Sequence, residues 1–397
     1  MSGKDIQAEV NIGLIGHVDH GKTSLTKALT GTWADTHSEE LKRGISIRLG
    51  YADTAFYENQ GPGMKFFPEY LIKNRNYKGK LLRRISFVDA PGHETLMTTM
   101  LSGAALMNGA VLVIAANEKC PQPRTIEHLT ALKAAGITNI VVAQNKIDLV
   151  SKEKAIENYN DIKNFLVKQG FGDIPIIPVA ANHLSNLDLL IDAIEKNIPS
   201  PKTTQKDKLK MFIARSFDIN KPGTHIKDLK GAVVGGTIVS GSVSVGDEIE
   251  LKPGFDNKVI ITKVISLATS FGSLNTAKRG GLIAIGTALD PSLAQNDQLR
   301  GQVVGKKGEL PDETLSLKLS VEVFDRYIEN LDSNISVGEI LVLTIGTSTN
   351  VGVVSKSVKN IVELNLKNPC IVEKGDKLAI SKKNGNLWRM IAFGTVE

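Results

Sequence analysis

Cysteine is scarce and unpaired: the 397 residues hold only Cys120 and Cys370, far apart and with no C-x-x-C pair. That excludes a disulfide framework and a cysteine zinc site. Long apolar runs are missing too. The best candidate, GAVLVIAAN at residues 109–117, falls far short of the roughly 20 residues needed to cross a bilayer as a helix. The opening MSGKDIQAEV lacks the apolar centre of a signal peptide, so a cytoplasmic protein, not bound to a membrane, is the expectation. What remains is ordinary for a globular chain: 42% apolar and 23% charged residues exclude wholesale disorder. The length predicts two or three domains. A formal charge of +6 permits an acidic partner such as RNA, and a solvated basic surface accounts for it equally well.

From residue 10 to about 200, short apolar runs alternate with helical patterns. VNIGLIG, RISFVDA, AVLVIAAN, NIVVAQNK and IPIIPVAA predict strands. HETLMTTMLSGAALM, PRTIEHLTALKAAG and SKEKAIENYNDIKNFLVKQG repeat apolar residues at spacings near three and four, and so predict helices. The expected fold class is α/β, a mostly parallel sheet covered by helices. The segment IPSPKTTQKDK has no periodicity and predicts a linker. Beyond it, GAVVGGTIVSGSVSVGDEIELKPG and then LSLKLSVEVF and EILVLTIGTSTNVGVVS alternate apolar with polar residues between glycines, the pattern of two small β-barrels. The predicted domains are residues 1–204, 205–312 and 313–397.

The densest chemistry lies in GHVDHGKT at residues 16–23. Gly16, four residues, then Gly21-Lys22-Thr23 is the phosphate-cradling P-loop pattern, and it has the required strand before it and helix after it. A polyphosphate must be held by donors with no side chains in the way. Glycines allow that approach, backbone N–H groups and the helix N-terminus surround the phosphates, and Lys22 adds an ammonium. The candidate phosphate contacts are Asp19, His20, Gly21, Lys22, Thr23 and Ser24, with the Thr23 hydroxyl available to magnesium.

The base is selected elsewhere. In NKID, Asn145 to Asp148, the Asp148 carboxylate can accept from guanine N1–H and its exocyclic amine, a donor pair that adenine lacks. Asn145 can hold neighbouring structure or base N7, and Lys146 can lay its aliphatic stem over the base. In FVDAPGHE, Asp89 ends a strand and can reach magnesium through water, and Gly92 can present its amide to the γ-phosphate. His93 follows, where a side chain can orient the attacking water; capping the next helix is the alternative. Ser46, in KRGISI, offers magnesium a second hydroxyl. Asp19 is unfavourable beside a polyanion unless a cation intervenes, which a second magnesium at Asp19 and the Gly44 carbonyl would supply.

The motifs GHVDHGKTSL, HSEELKRGISI, VDAPGHETLMTTMLSGAALMNGAVLVIAANE and QNKIDLV closely resemble the gamma subunit of archaeal and eukaryotic translation initiation factor 2. The resemblance continues through RSFDINKPGT to WRMIAFGTVE at the chain end, and the short N-terminus resembles the archaeal members. It implies a GTP/GDP switch with magnesium, carrying methionylated initiator tRNA to the small ribosomal subunit with alpha and beta subunits attached. Three departures stand out. The insert at residues 56–82 has no cysteine where the family often has a zinc knuckle, so no zinc is expected. Ser46 replaces the usual threonine, and Ala180-Ala181-Asn182 stands in place of the family's serine-alanine motif, keeping the amide that faces guanine O6 but losing a bracing hydroxyl. The competing expectations are an elongation-type aminoacyl-tRNA carrier, including the selenocysteine-specific kind, a sulfate-activating P-loop enzyme, and a nucleotide-locked scaffold without turnover.

Overall fold

A computed structural model describes residues 6–33, 50–90, 97–202, 207–255, 258–324, 333–385 and 387–397. The chain forms two compact units. One is built on Glu9–Ser200, the other on the first residues together with Pro201–Asp325 and Leu331–Glu397.

In the Glu9–Ser200 unit, β1 (Val10–Ile15) is buried along its whole length and leads to α1 (Lys22–Thr30). There follow β2 (Gly50–Asn59), β3 (Phe66–Pro68), α2 (Tyr70–Arg75), β4 (Gly79–Asp89) and α3 (Met97–Ala104). The unit ends with β5 (Gly109–Ala115), α4 (Pro123–Ala134), β6 (Ile140–Asn145), α5 (Lys152–Lys168), β7 (Ile176–Pro178) and α6 (Leu187–Asn197). The sheet order is β3-β2-β4-β1-β5-β6-β7. Pairing is parallel from β4 to β7 and antiparallel where β2 meets β4 and β3. The central strands are near-continuous apolar runs because helices cover both faces. α6 contributes Leu187, Leu190, Ile191 and Ile194 to the same core.

The cysteine-free insert folds as the β2–β3 edge with α2. Its centre is aromatic: Tyr57 stacks on Phe67 with centroids 5.7 Å apart, and Phe67 meets the Tyr77 ring edge-on at 5.0 Å. Tyr70 donates its hydroxyl to the Ala28 carbonyl at 3.0 Å, tying the insert to α1.

The other unit holds two closed antiparallel barrels of six strands each. In the first, β8 (Lys210–Phe217), β9 (Val233–Ser240), β11 (Glu248–Phe255), β12 (Lys258–Thr269), β15 (Ile283–Thr287) and β16 (Val303–Lys306) close through the β11–β12 pairing, with β10 (Ser242–Ser244), β13 (Gly272–Leu274) and β14 (Thr276–Lys278) as short additions. The second closes in the order β17-β20-β19-β18-β21-β22, from β17 (Thr314–Val323) through β18 (Ile340–Ile345), β19 (Ser348–Val358), β20 (Ile361–Cys370) and β21 (Lys377–Asn384) to β22 (Leu387–Val396). The barrels are joined by Phe212, Val303, Leu310 and Ile371 in one apolar cluster, and by Lys210 Nζ, which reaches Glu373 at 2.9 Å and Asp376 at 2.8 Å.

Candidate nucleotide site

The loop between β1 and α1 is set by two glycines. Gly16 has φ 147°, and a Cβ there would lie 2.2 Å from the Val113 carbonyl oxygen; Gly21 has φ 89°, and its Cβ would lie 2.3 Å from Asn145 Nδ2. No other residue fits either place. Asp19, at φ 62°, is also left-handed and faces solvent. Inside the loop, the nearly buried Lys22 donates from Nζ to the carbonyls of Gly16 at 3.1 Å and His17 at 2.8 Å. A cation wrapped by loop backbone, at the N-terminus of α1, is the arrangement a polyphosphate requires.

Thr23 Oγ1 donates to Asp89 Oδ2 at 2.9 Å, so the structure brings together two proposed magnesium-side residues 66 positions apart. Asp89 is fully buried at the end of β4. A hydroxyl beside a buried carboxylate is a hard-oxygen donor set that suits magnesium. Ser24 follows on the first turn of α1. Gly44, Ser46, Gly92 and His93 lie outside the described residues.

Asn145, at the end of β6, joins two loops. Its Nδ2 donates to the His20 carbonyl at 3.0 Å, and its Oδ1 accepts from the Ala181 N–H at 3.1 Å. Lys146 adopts φ 62° and starts the short 3₁₀ turn Ile147–Leu149, which carries the solvent-facing Asp148. A second 3₁₀ turn, Ala181–His183, stands opposite, with Ala180 and Ala181 buried and Asn182 exposed. Asp148 and the 180–182 loop are thus gathered beside the phosphate loop through a single amide side chain.

The His20 side chain turns away from the loop opening. Its Nδ1 donates to the Val113 carbonyl at 3.0 Å, its Nε2 lies 3.2 Å from Glu118 Oε2, and burial holds its pKa below the ordinary histidine value. Only the backbone of His20 can serve phosphates. Burial likewise lowers the His17 pKa.

Sequence reasoning missed three residues here. His128, wholly buried on α4, accepts the Gly16 N–H at Nδ1 (3.2 Å), and burial pushes its pKa down to about 3, which keeps that lone pair available. Glu118 partners His20, and His183 Nε2 sits 3.6 Å from Asp148 Oδ2. His128 occupies a regular helical repeat, so nothing local marked it; the place of His183 beside the 180–182 loop was the signal available for that residue.

Residues 7–200 match the family described as elongation factor Tu GTP binding domain, and residues 315–396 match initiation factor eIF2 gamma, C terminal. A Methanococcus maripaludis protein described as translation initiation factor 2 subunit gamma is 51% identical, over 98% of each chain. One from Pyrococcus horikoshii is 47% identical over 99% of this chain and 98% of its own. Among solved structures, a bacterial selenocysteine-specific elongation factor superposes with a TM-score of 0.76 at 27% identity, over 97% of this chain and 58% of that one.

Proposed function

The chain belongs to the translation initiation factor 2 gamma-subunit family, a guanine-nucleotide-binding branch of the translational GTPases, and from that premise we propose that it carries methionylated initiator tRNA to the small ribosomal subunit. GTP hydrolysis is the switch that ends the delivery. Alpha and beta subunits complete a heterotrimer, and the cytoplasm is where it works.

Each step has its residues. Lys22 and the amides of the loop from Asp19 through Thr23 bind the phosphates, with Gly92 presenting its amide to the γ-phosphate. Asp148 reads guanine, Lys146 covers the base, and the Ala181 N–H fixed by Asn145 belongs to the loop beside O6. Magnesium fits the Thr23 and Asp89 oxygens, with Ser46 adding a hydroxyl; when bound it neutralises charge on the β- and γ-phosphates. A second ion is assigned to Asp19 and the Gly44 carbonyl. His93 orients the attacking water, the place a glutamine fills in other GTPases.

One observation supports the initiator reading above the rest: identity near one half runs the full length of the chain, barrels included, in relatives described as initiation factor subunits. The selenocysteine-specific factor shares the architecture at 27% identity, which keeps an elongation-type carrier as the second reading. Equilibrium binding with GTP separates them. Methionylated initiator tRNA should bind more tightly than the bare initiator or methionylated elongator tRNA, and steeply weaker with rising salt. Equal binding of all three overturns the proposal.

A further inference from the structure

Between Glu69 and Asp89 the chain carries six cations and no acidic residue: Lys73, Arg75, Lys78, Lys80, Arg83 and Arg84. Two of them are engaged in the fold. Arg83 is buried, with Nε 2.7 Å from Glu195 Oε1, and Arg84 is half-buried and bonded. The other four are exposed, and none of them has an ion-pair partner among the described residues.

Their frame is packed and hydrogen-bonded to the domain. Lys73 and Arg75 ride on α2, which is anchored by buried Leu71 and by the Tyr70 hydroxyl on Ala28. Asn76, at φ 51°, turns the chain back, and Tyr77 packs on Phe67. Lys78 and Lys80, two apart on the extended run into β4, project from one face. Glu69 stands at the head of α2, and Glu58 lies opposite Lys80 in the β2–β4 register. Like charges held on a fixed surface repel one another, and a polyanion relieves that repulsion.

The occupant follows from what the surface lacks. No large hydrophobic side chain is exposed between Trp33 and Leu149 among the described residues. Insertion into a lipid surface needs apolar anchors, and the centre of a protein interface needs aromatic or aliphatic ones. A phosphate backbone needs neither. We propose that Lys73, Arg75, Lys78 and Lys80 form an RNA-binding surface that grips the phosphate backbone without reading sequence. It is separate from the nucleotide site and does not depend on which tRNA the protein carries.

The test is a salt titration with the full-length protein and a fluorescent RNA duplex of arbitrary sequence. In the variant Lys73→Gln, Arg75→Gln, Lys78→Gln and Lys80→Gln, the slope of log affinity against log salt should become shallower by about 3.6, close to 0.9 per lost contact. Each half of it, Lys73→Gln with Arg75→Gln or Lys78→Gln with Lys80→Gln, should remove about half of that change. Unchanged GDP affinity verifies the fold of the variants. A control removing four exposed barrel lysines, Lys359, Lys367, Lys374 and Lys383, makes the same change in net charge and should move the slope by less than about one. Equal slope changes in variant and control reduce the effect to net charge and overturn the proposal. An unmoved slope overturns it as a solvated face, and loss of binding only to vesicles rich in phosphatidylserine overturns it in favour of a membrane contact.

Discussion

Asn145 reaches His20 across 125 positions of sequence, donating from Nδ2 to the His20 carbonyl at 3.0 Å, with its own Oδ1 held by the Ala181 N–H. Asn145 is only 2% exposed, so both partners lose their hydrogen bonds in the dry interior if its side chain is removed.

Asn145→Ala should therefore weaken GDP binding by roughly ten- to a hundredfold, since a buried polar group left without a partner costs about 1–3 kcal/mol. Calorimetric titration with GDP, alongside a thermal melt, checks it. Wild-type affinity in a folded variant would mean that the phosphate and base loops hold their places without the bridge.

His128 makes the unit sensitive to acid. Its folded pKa of about 3 lies below the ordinary histidine value of 6.5, so between those values the unfolded chain binds more protons than the folded one. Stability is then complete above about pH 6.5 and is lost as pH falls towards 3. The lowered His17 and His20 values act in the same direction. His128→Asn, which offers an amide oxygen to the Gly16 N–H without a titrating ring, should flatten the fall in melting temperature across that window. An equally steep fall would place the acid sensitivity elsewhere.

His93→Ala should leave GTP affinity within about twofold and slow ribosome-stimulated hydrolysis by roughly 10²–10⁴-fold, the range for a group that positions or deprotonates a nucleophile. Single-turnover rates decide. An unchanged stimulated rate would return His93 to a helix cap.

Much of this was legible in the sequence, and the gaps have physical causes. The buried parallel strands announced themselves because VNIGLI and GAVLVIA must be apolar on both faces. The β2–β3 edge did not: beside Phe56, GYADTAFYEN buries Ala52, Thr54 and Ala55, residues too small or too polar to give an apolar run, and β3 ends in proline. At the site, glycine spacing disclosed the phosphate loop because its geometry admits no side chain. Asn145 was open between bracing and base contact, and only packing could show it spanning two loops. His128 could not be found at all, because its contact with Gly16 joins residues 112 apart.

The carboxylate proposed to read the base gives the sharpest test. Asp148 stands on a short turn whose position is fixed from behind, by Asn145 and by the Ile147 N–H on the Val179 carbonyl at 3.4 Å, so a substitution at its exposed tip should leave the fold intact. Guanine presents two donors, N1–H and the exocyclic amine, and an ionised carboxylate accepts both. In Asp148→Asn one of those oxygens becomes an amide, which meets the guanine amine donor to donor. Xanthine carries a carbonyl at that position, so the amide donates to it and the remaining oxygen accepts from N1–H. Sites built around such bonds discriminate by up to the order of 10⁴-fold, so even a partial effect should lower GDP affinity and raise xanthosine diphosphate affinity by at least about tenfold each. Competition binding of the two nucleotides to wild type and variant measures the swing, with a thermal melt to verify folding. If the folded variant keeps its full preference for GDP, Asp148 does not read the base, and guanine selection belongs to the backbone of residues 180–182 instead.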